Sequence, residues 1–342
     1  MPRRIINTIA IIGIRGYPAD FSGSSGIDFY NQSIVSRLIS KGNSFILFTR
    51  SWVKNTENKH SKNTFIIKVP TINSKHLDTT IYSLLASIIV CFTSARIVWY
   101  HAPGSAIFSF LPKLVGKNIF LTIHGKDWKR EKWGIIAKII LKIAEAISIK
   151  TSDKIFVVSK DLKKYIYQKY AKQSDLMTIE IPLNKKATSS KMIFNLYGLR
   201  KEKYILYLGR FVSEKRIDWI IKAFLSSKRI NNKYLLVLAG GRKNNIYSNS
   251  LRINSKRNKK IIWTGFVKGI VKKELLANCK LFILPSSIEG RSIALAEAIS
   301  FGRNCLVSDI QANLELKITS NKILTFKNNS YKDFYRKLNN II

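Results

Sequence analysis

The stretch YILYLGRFVSEKRIDWII (residues 204–221) decides the fold. An unbroken apolar run, Tyr204 to Leu208, meets Gly209 and Arg210, passes through a short polar loop, and gives way to helical spacing from Ile217 to Leu225. A continuous apolar strand suits a sheet covered on both faces, and strand, loop and helix in succession form one unit of a βαβ repeat. The unit recurs downstream at YLLVLAGG (234–241), KIIWTG (260–265), KLFILP (280–285), NCLVSD (304–309) and KILTF (322–326). Upstream the same rhythm runs through TIAIIGI (8–14), SFILFT (44–49), TFIIKV (64–69), ARIVWYH (95–101), NIFLTIH (118–124) and KIFVVS (154–159), with helical spacing over Asp28–Ile39 and Trp133–Ile149.

A polar stretch, Asn184 to Lys203, separates the two series. It predicts two α/β domains, 1–183 and 184–342, each a doubly wound parallel sheet. Ligands of such sheets bind outside the carboxyl ends of the strands, so two in tandem are expected to place a binding crevice there.

The chain has 342 residues, 46% of them hydrophobic, a globular composition. Three scattered cysteines, without a C-x-x-C pair or clustered histidines, argue against a disulfide framework or a structural zinc site. The N-terminal run into Gly13 reads as a buried strand rather than a signal peptide, and the uncharged stretch Thr79–Ala95, interrupted by Tyr82, Ser83 and Ser87, as a buried helix rather than a membrane span. A cytoplasmic protein is expected. The charge balance is extreme, with 59 Lys and Arg against 20 Asp and Glu, a net of +39. Such a surface attracts polyanions, yet nucleotide-composition bias could also produce it. Neither a Walker phosphate loop nor a G-x-G-x-x-G motif is present, which removes the best support for a kinase or dehydrogenase.

Two constellations carry chemistry. In Pro285-Ser-Ser-Ile-Glu289-Gly290-Arg291-Ser292-Ile293-Ala-Leu-Ala-Glu297-Ala298, two carboxylates flank a predicted helix start near Arg291 or Ser292. Amides of Gly290 to Ile293 would form a helix N-terminus suited to phosphate, and carboxylates accept from the paired hydroxyls of a sugar or ribose. In Gly209-Arg210-Phe-Val-Ser-Glu214-Lys215, a guanidinium and an ammonium share one strand-to-helix loop, where both can neutralise a departing diphosphate.

These stretches, in this order, resemble the retaining glycosyltransferases of family 4, which have the GT-B fold. Glu289 and Glu297 match that family's E-x7-E, and Gly209, Arg210, Glu214 and Lys215 match its G-R-x(n)-E-K segment. Gly13-Ile-Arg15-Gly16-Tyr-Pro18 and Thr122-Ile-His124-Gly125-Lys-Asp127-Trp128 are similar to a bacterial subgroup that includes rhamnosyltransferases of cell-surface polysaccharide assembly. The resemblance implies transfer of a hexose or deoxyhexose from a nucleotide-diphosphate sugar to a polysaccharide or lipid-linked glycan. It implies that Arg210 and Lys215 bind the diphosphate with Gly209, Gly290, Arg291, Ser292 and Ile293 around it. Glu297 would hold the ribose, Glu289 the donor sugar, and His124 would reach the transferred sugar. A loop with Gly16, Gly23 and Gly26 would close over phosphates and acceptor. It further implies no metal ion and no cofactor beyond the nucleotide sugar as substrate, which agrees with the absence of a D-x-D pair.

Other residues carry weaker expectations. His101, at another strand end, reads as structural, and Asp127 and Asp309 stay open between turn caps and site residues. The segment KDWKREKWGIIAKIILKIAEAISIK (126–150) predicts a basic helix with Trp128 and Trp133 as anchors. It points to peripheral attachment on the inner face of the cell membrane, beside a reading in which its isoleucines pack on the sheet. The loop Phe21–Asp28 is longer than the family's, and Arg291 stands where the family usually has leucine. The competing function is a weak or inactive scaffold that binds polyanions or membranes; no specific nucleic acid is expected.

Overall fold

The computed structural model describes residues 8–342 except 20, 22–23, 54–62, 73, 75–76, 132, 180, 182–188, 241–245 and 256–257. The expected boundary at 183/184 and the loop residue Gly23 lie outside the described residues. The chain divides into two compact units, Met1–Ile179 and Glu180–Ile342.

The first unit is built on seven strands: β1 (Thr8–Ile12), β2 (Ser44–Arg50), β3 (Thr64–Val69), β4 (Ile97–His101), β5 (Asn118–Ile123), β6 (Lys154–Val157) and β7 (Asp175–Leu176). Their order is β3-β2-β1-β4-β5-β6-β7, and every pairing is parallel. The second unit has β8 (Tyr204–Leu208), β9 (Leu235–Ala239), β10 (Ile261–Gly265), β11 (Leu281–Leu284), β12 (Cys305–Ser308) and β13 (Ile323–Phe326), ordered β10-β9-β8-β11-β12-β13 and again all parallel. Helices cover the strands, which is why Leu281 to Leu284 and Tyr204 to Tyr207 are buried. The strand order reverses between β1 and β4 in one sheet and between β8 and β11 in the other, and the chain leaving those strands is where ligands gather in this architecture.

Three details differ from the sequence reading. Trp128 lies in a single turn, Asp127–Lys129, and Arg130 is extended, so the long helix begins only at Ile135, after Gly134. The helix Leu77–Cys91 buries one face, Tyr82, Ser83, Ala86, Ser87 and Val90, rather than its whole circumference. The two-residue β7 is too short to leave a periodic signal.

Candidate functional site

In the second unit the chain leaving β8 forms the loop Gly209–Arg216, and the chain leaving β11 runs through Pro285–Ser292 into the helix Ile293–Ser300. Because β8 and β11 are neighbours, the two loops meet. The Ser287 amide donates to the Glu214 carbonyl at 2.8 Å, and the Ser287 hydroxyl reaches the same oxygen at 3.2 Å. Lys215 Nζ forms an ion pair with Glu289 Oε1, which also accepts from Ser286 Oγ at 2.8 Å. Residues 74 positions apart thus form one charged cluster, largely withdrawn from solvent. Beside them, Gly240 adopts φ +104°, and a Cβ there would lie 2.3 Å from the Gly209 carbonyl oxygen. Only glycine permits this approach of the β9 end to the β8 end.

Ser292 caps the helix, its hydroxyl accepting from the Leu295 amide at 3.2 Å. The remaining amides at this end and the helix dipole favour an anion. Arg291 is half-buried, and burial lowers its pKa against the opposing charge of Glu315. The Arg210 carbonyl accepts from the Tyr207 hydroxyl at 2.8 Å, fixing the backbone of that loop. Glu297, on the second turn, pairs through Oε1 with Lys272 Nζ at 2.6 Å, while its Oε2 is buried without a hydrogen-bond partner. Lys272 comes from the helix Gly269–Asn278 and carried no signal in a chain with 59 basic residues. Asp309 is a turn tether: its carboxylate accepts from the Asn328 amide at 2.6 Å.

In the first unit β4 ends at His101, and His124 follows β5. The two rings meet, His101 Nδ1 to His124 Nε2 at 3.1 Å. Trp99 stacks on His101 with centroids 5.4 Å apart, and Tyr30 sets its edge against His124 at 4.8 Å. Burial pushes both imidazoles toward the neutral form: His101 lies well below its ordinary pKa, with the His124 charge adding to the effect, and His124 falls to about 3, with Arg130 adding to burial. His101 Nε2 is buried without a partner. An orphaned acceptor costs less than an orphaned donor, so the proton belongs on His101 Nδ1, which donates to His124 Nε2 and leaves the His124 proton on Nδ1. Sequence reading took His101 as structural and did not see this pairing.

The described residues on either side of the glycine loop are tied to one carboxylate. Asp28, buried, accepts from the Arg15 amide at 2.7 Å and from the Ser25 amide and hydroxyl at 2.6 and 2.7 Å. Gly26 is the first residue of the helix Gly26–Ile39. At Gly16 a Cβ would sit 2.9 Å from Val53 Cγ1 and 3.0 Å from the Phe21 ring. Asp127 pairs with Arg130 at 3.1 Å.

Residues 6–181, about half of the chain, match the family described as Domain of unknown function (DUF1972). The chain belongs to the DUF1972 family. Its residues 192–342 match the family described as Glycosyl transferases group 1. This DUF1972 chain is 24% identical over 200 residues to the uncharacterized glycosyltransferase YqgM of Bacillus subtilis, covering 58% of the chain and 54% of that protein. It is 27% identical over 158 residues to the N,N'-diacetylbacillosaminyl-diphospho-undecaprenol alpha-1,3-N-acetylgalactosaminyltransferase of Campylobacter jejuni, covering 46% of the chain and 40% of that protein. The alignments therefore span only about half of these relatives' own lengths. Among solved structures, sucrose-phosphate synthase from Thermosynechococcus elongatus superposes with a TM-score of 0.83 at 16% identity, over 98% of this chain and 89% of that one. Anabaena HepE in complex with UDP and glucose gives 0.76 at 13% identity, over 98% and 89%. The fold is GT-B, with two parallel sheets carrying helices.

Proposed function

We propose that this DUF1972 chain is a retaining, metal-independent glycosyltransferase that moves a hexose or deoxyhexose from a nucleotide-diphosphate sugar to a polysaccharide or lipid-linked glycan. The observation that carries the reading is the Lys215–Glu289 pair beside the start of the helix Ile293–Ser300, at the strand-order reversal of the second sheet. That arrangement offers cations and helix amides to phosphate, with a carboxylate on either side for hydroxyls. The match to the group 1 glycosyl transferases supports it, as do UDP and glucose in HepE and the diphospho-undecaprenol acceptor in the Campylobacter protein's name.

In this reading the diphosphate sits on the amides of Gly290 to Ile293, with Arg210 and Lys215 neutralising the charge that develops as it leaves. Glu289 accepts from the donor sugar. The unpartnered Glu297 Oε2 accepts from the ribose, since a buried carboxylate oxygen without a donor is satisfied by a ligand hydroxyl. His124 contributes its Nδ1–H to the transferred sugar. The acceptor oxygen bonds to the anomeric carbon on the face from which the phosphate departs. The C–O bond to phosphate breaks with its electron pair, and a phosphate oxygen takes the acceptor proton.

Thermal denaturation against a panel of nucleotide sugars tests the donor. A true donor at a hundred times its Kd raises stability by about 2.7 kcal/mol. NMR of the product then reads the anomeric configuration. No stabilisation by any nucleotide sugar would instead favour a polyanion-binding scaffold, the reading that the net charge of +39 supports.

A further inference from the structure

We propose that the helix Ile135–Thr151 seats the protein on an anionic lipid bilayer, its isoleucine face in the headgroup boundary and its lysines against the lipid phosphates. Ile135 and Ile136 are 80% and 76% exposed, and Ile139, Ile140 and Ile143 are about half exposed. Spaced i, i+1, i+4, i+5 and i+8, they form one face of the helix. The opposite side packs inward through Ala144, Glu145, Ser148 and Ile149. The packing of this helix is therefore satisfied without these five isoleucines, and the face they make is left to an outside partner.

Charge identifies that partner. Glu145 is the sole carboxylate of the helix and is buried, bonded to Lys169, Tyr165 and Tyr170. The exposed face thus carries no negative charge, while Lys142 and Lys150 stand exposed on the helix and Lys129 ahead of it. Helices Leu77–Cys91 and Phe110–Leu114 adjoin in turn, and Phe92, just past the first, and Leu114 are 87% and 79% exposed. An apolar helix face edged by cations fits a surface that is oily below and anionic above. A second copy fits poorly, because it would bring together two chains of net charge +39 along helix faces that carry cations and no carboxylate. A nucleic acid would use the cations and leave the isoleucines in water. No helix among the described residues is long and apolar enough to cross a membrane, so the helix lies in the interface plane.

Vesicle binding through this surface requires neither donor nor acceptor. Phosphatidylcholine vesicles, with and without phosphatidylglycerol, are sedimented with the whole protein, and light scattering reads its oligomeric state. Binding is expected only with phosphatidylglycerol and weakens as sodium chloride screens the charges. Ile136→Glu with Ile140→Glu lowers vesicle partitioning at least tenfold, and Lys142→Glu with Lys150→Glu lowers it while leaving the isoleucines in place. All four positions lie at the surface, and unchanged melting confirms folding. Wild-type protein left in the supernatant at low salt overturns the proposal, as does an isoleucine variant that still sediments. A dimer dissolved by the isoleucine changes would assign the face to a second copy and overturn it too.

Discussion

Lys272 Nζ lies 2.6 Å from Glu297 Oε1, and the other oxygen of that carboxylate is buried without a partner. The pair comes from two helices, Gly269–Asn278 and Ile293–Ser300, which pack against each other. It fixes the carboxylate with one oxygen satisfied and one without a partner, so in the proposed site a ligand hydroxyl would meet a group already oriented.

Glu297→Gln removes the charged acceptor. Nucleoside diphosphate binding should weaken about ten- to a hundredfold, the loss of one hydrogen bond to a charged group at about 1.5–3 kcal/mol. Isothermal titration with UDP, GDP and ADP checks this, and undiminished affinity for the preferred nucleotide refutes the ribose assignment. Lys272→Ala leaves the carboxylate without its cation and should lower both stability and affinity, each by about 1–3 kcal/mol because the pair is only partly buried.

Arg210→Ala and Lys215→Met should each lower kcat about a hundredfold with a smaller change in KM, because their charge is needed most as the diphosphate departs. Removing Lys215 also unpairs Glu289, so melting is measured alongside. Wild-type turnover in both variants would discard the leaving-group role.

Transfer should persist after dialysis against EDTA. In the proposed site Arg210, Lys215 and the helix start at Ser292 neutralise the phosphates that a divalent cation would otherwise bridge. Activity that vanishes with EDTA and returns with Mn²⁺ or Mg²⁺ would contradict the proposed site.

The imidazole pair predicts acid sensitivity. His124 falls to about 3 from its ordinary 6.5, so between these values the unfolded chain binds a proton that the folded chain refuses. Its contribution is intact above about pH 6.5 and is lost progressively as pH falls toward 3, at up to about 1.4 kcal/mol per pH unit. His101 acts in the same direction. Urea unfolding from pH 7.5 to 4.5 should show this slope, and His101→Gln should flatten it. An unchanged slope in the variant would show that the pair does not titrate in this way.

Much of the fold was legible because parallel strands covered on both faces leave continuous apolar runs, and TIAIIGI and KLFILP became β1 and β11. The helix start at Ser292 was legible for a similar local reason, a capping hydroxyl before a periodic segment. Lys215 and Glu289 were readable as a set by resemblance, since the spacing within each loop is fixed by the strand-to-helix turn.

What sequence alone determined are thus properties of single segments: strand runs, helix starts, the placement of charge in a loop. Tertiary structure decided which segments touch. The β8–β11 adjacency sets Lys215 on Glu289, the β4–β5 adjacency sets His101 on His124, and the packing of two helices sets Lys272 on Glu297. It also turned Ile135, Ile136, Ile139, Ile140 and Ile143 outward, although the periodicity of that helix fits either side being buried. Period and propensity report only the local chain, whereas partner choice depends on strand order and helix rotation, which are set by packing across the whole sheet.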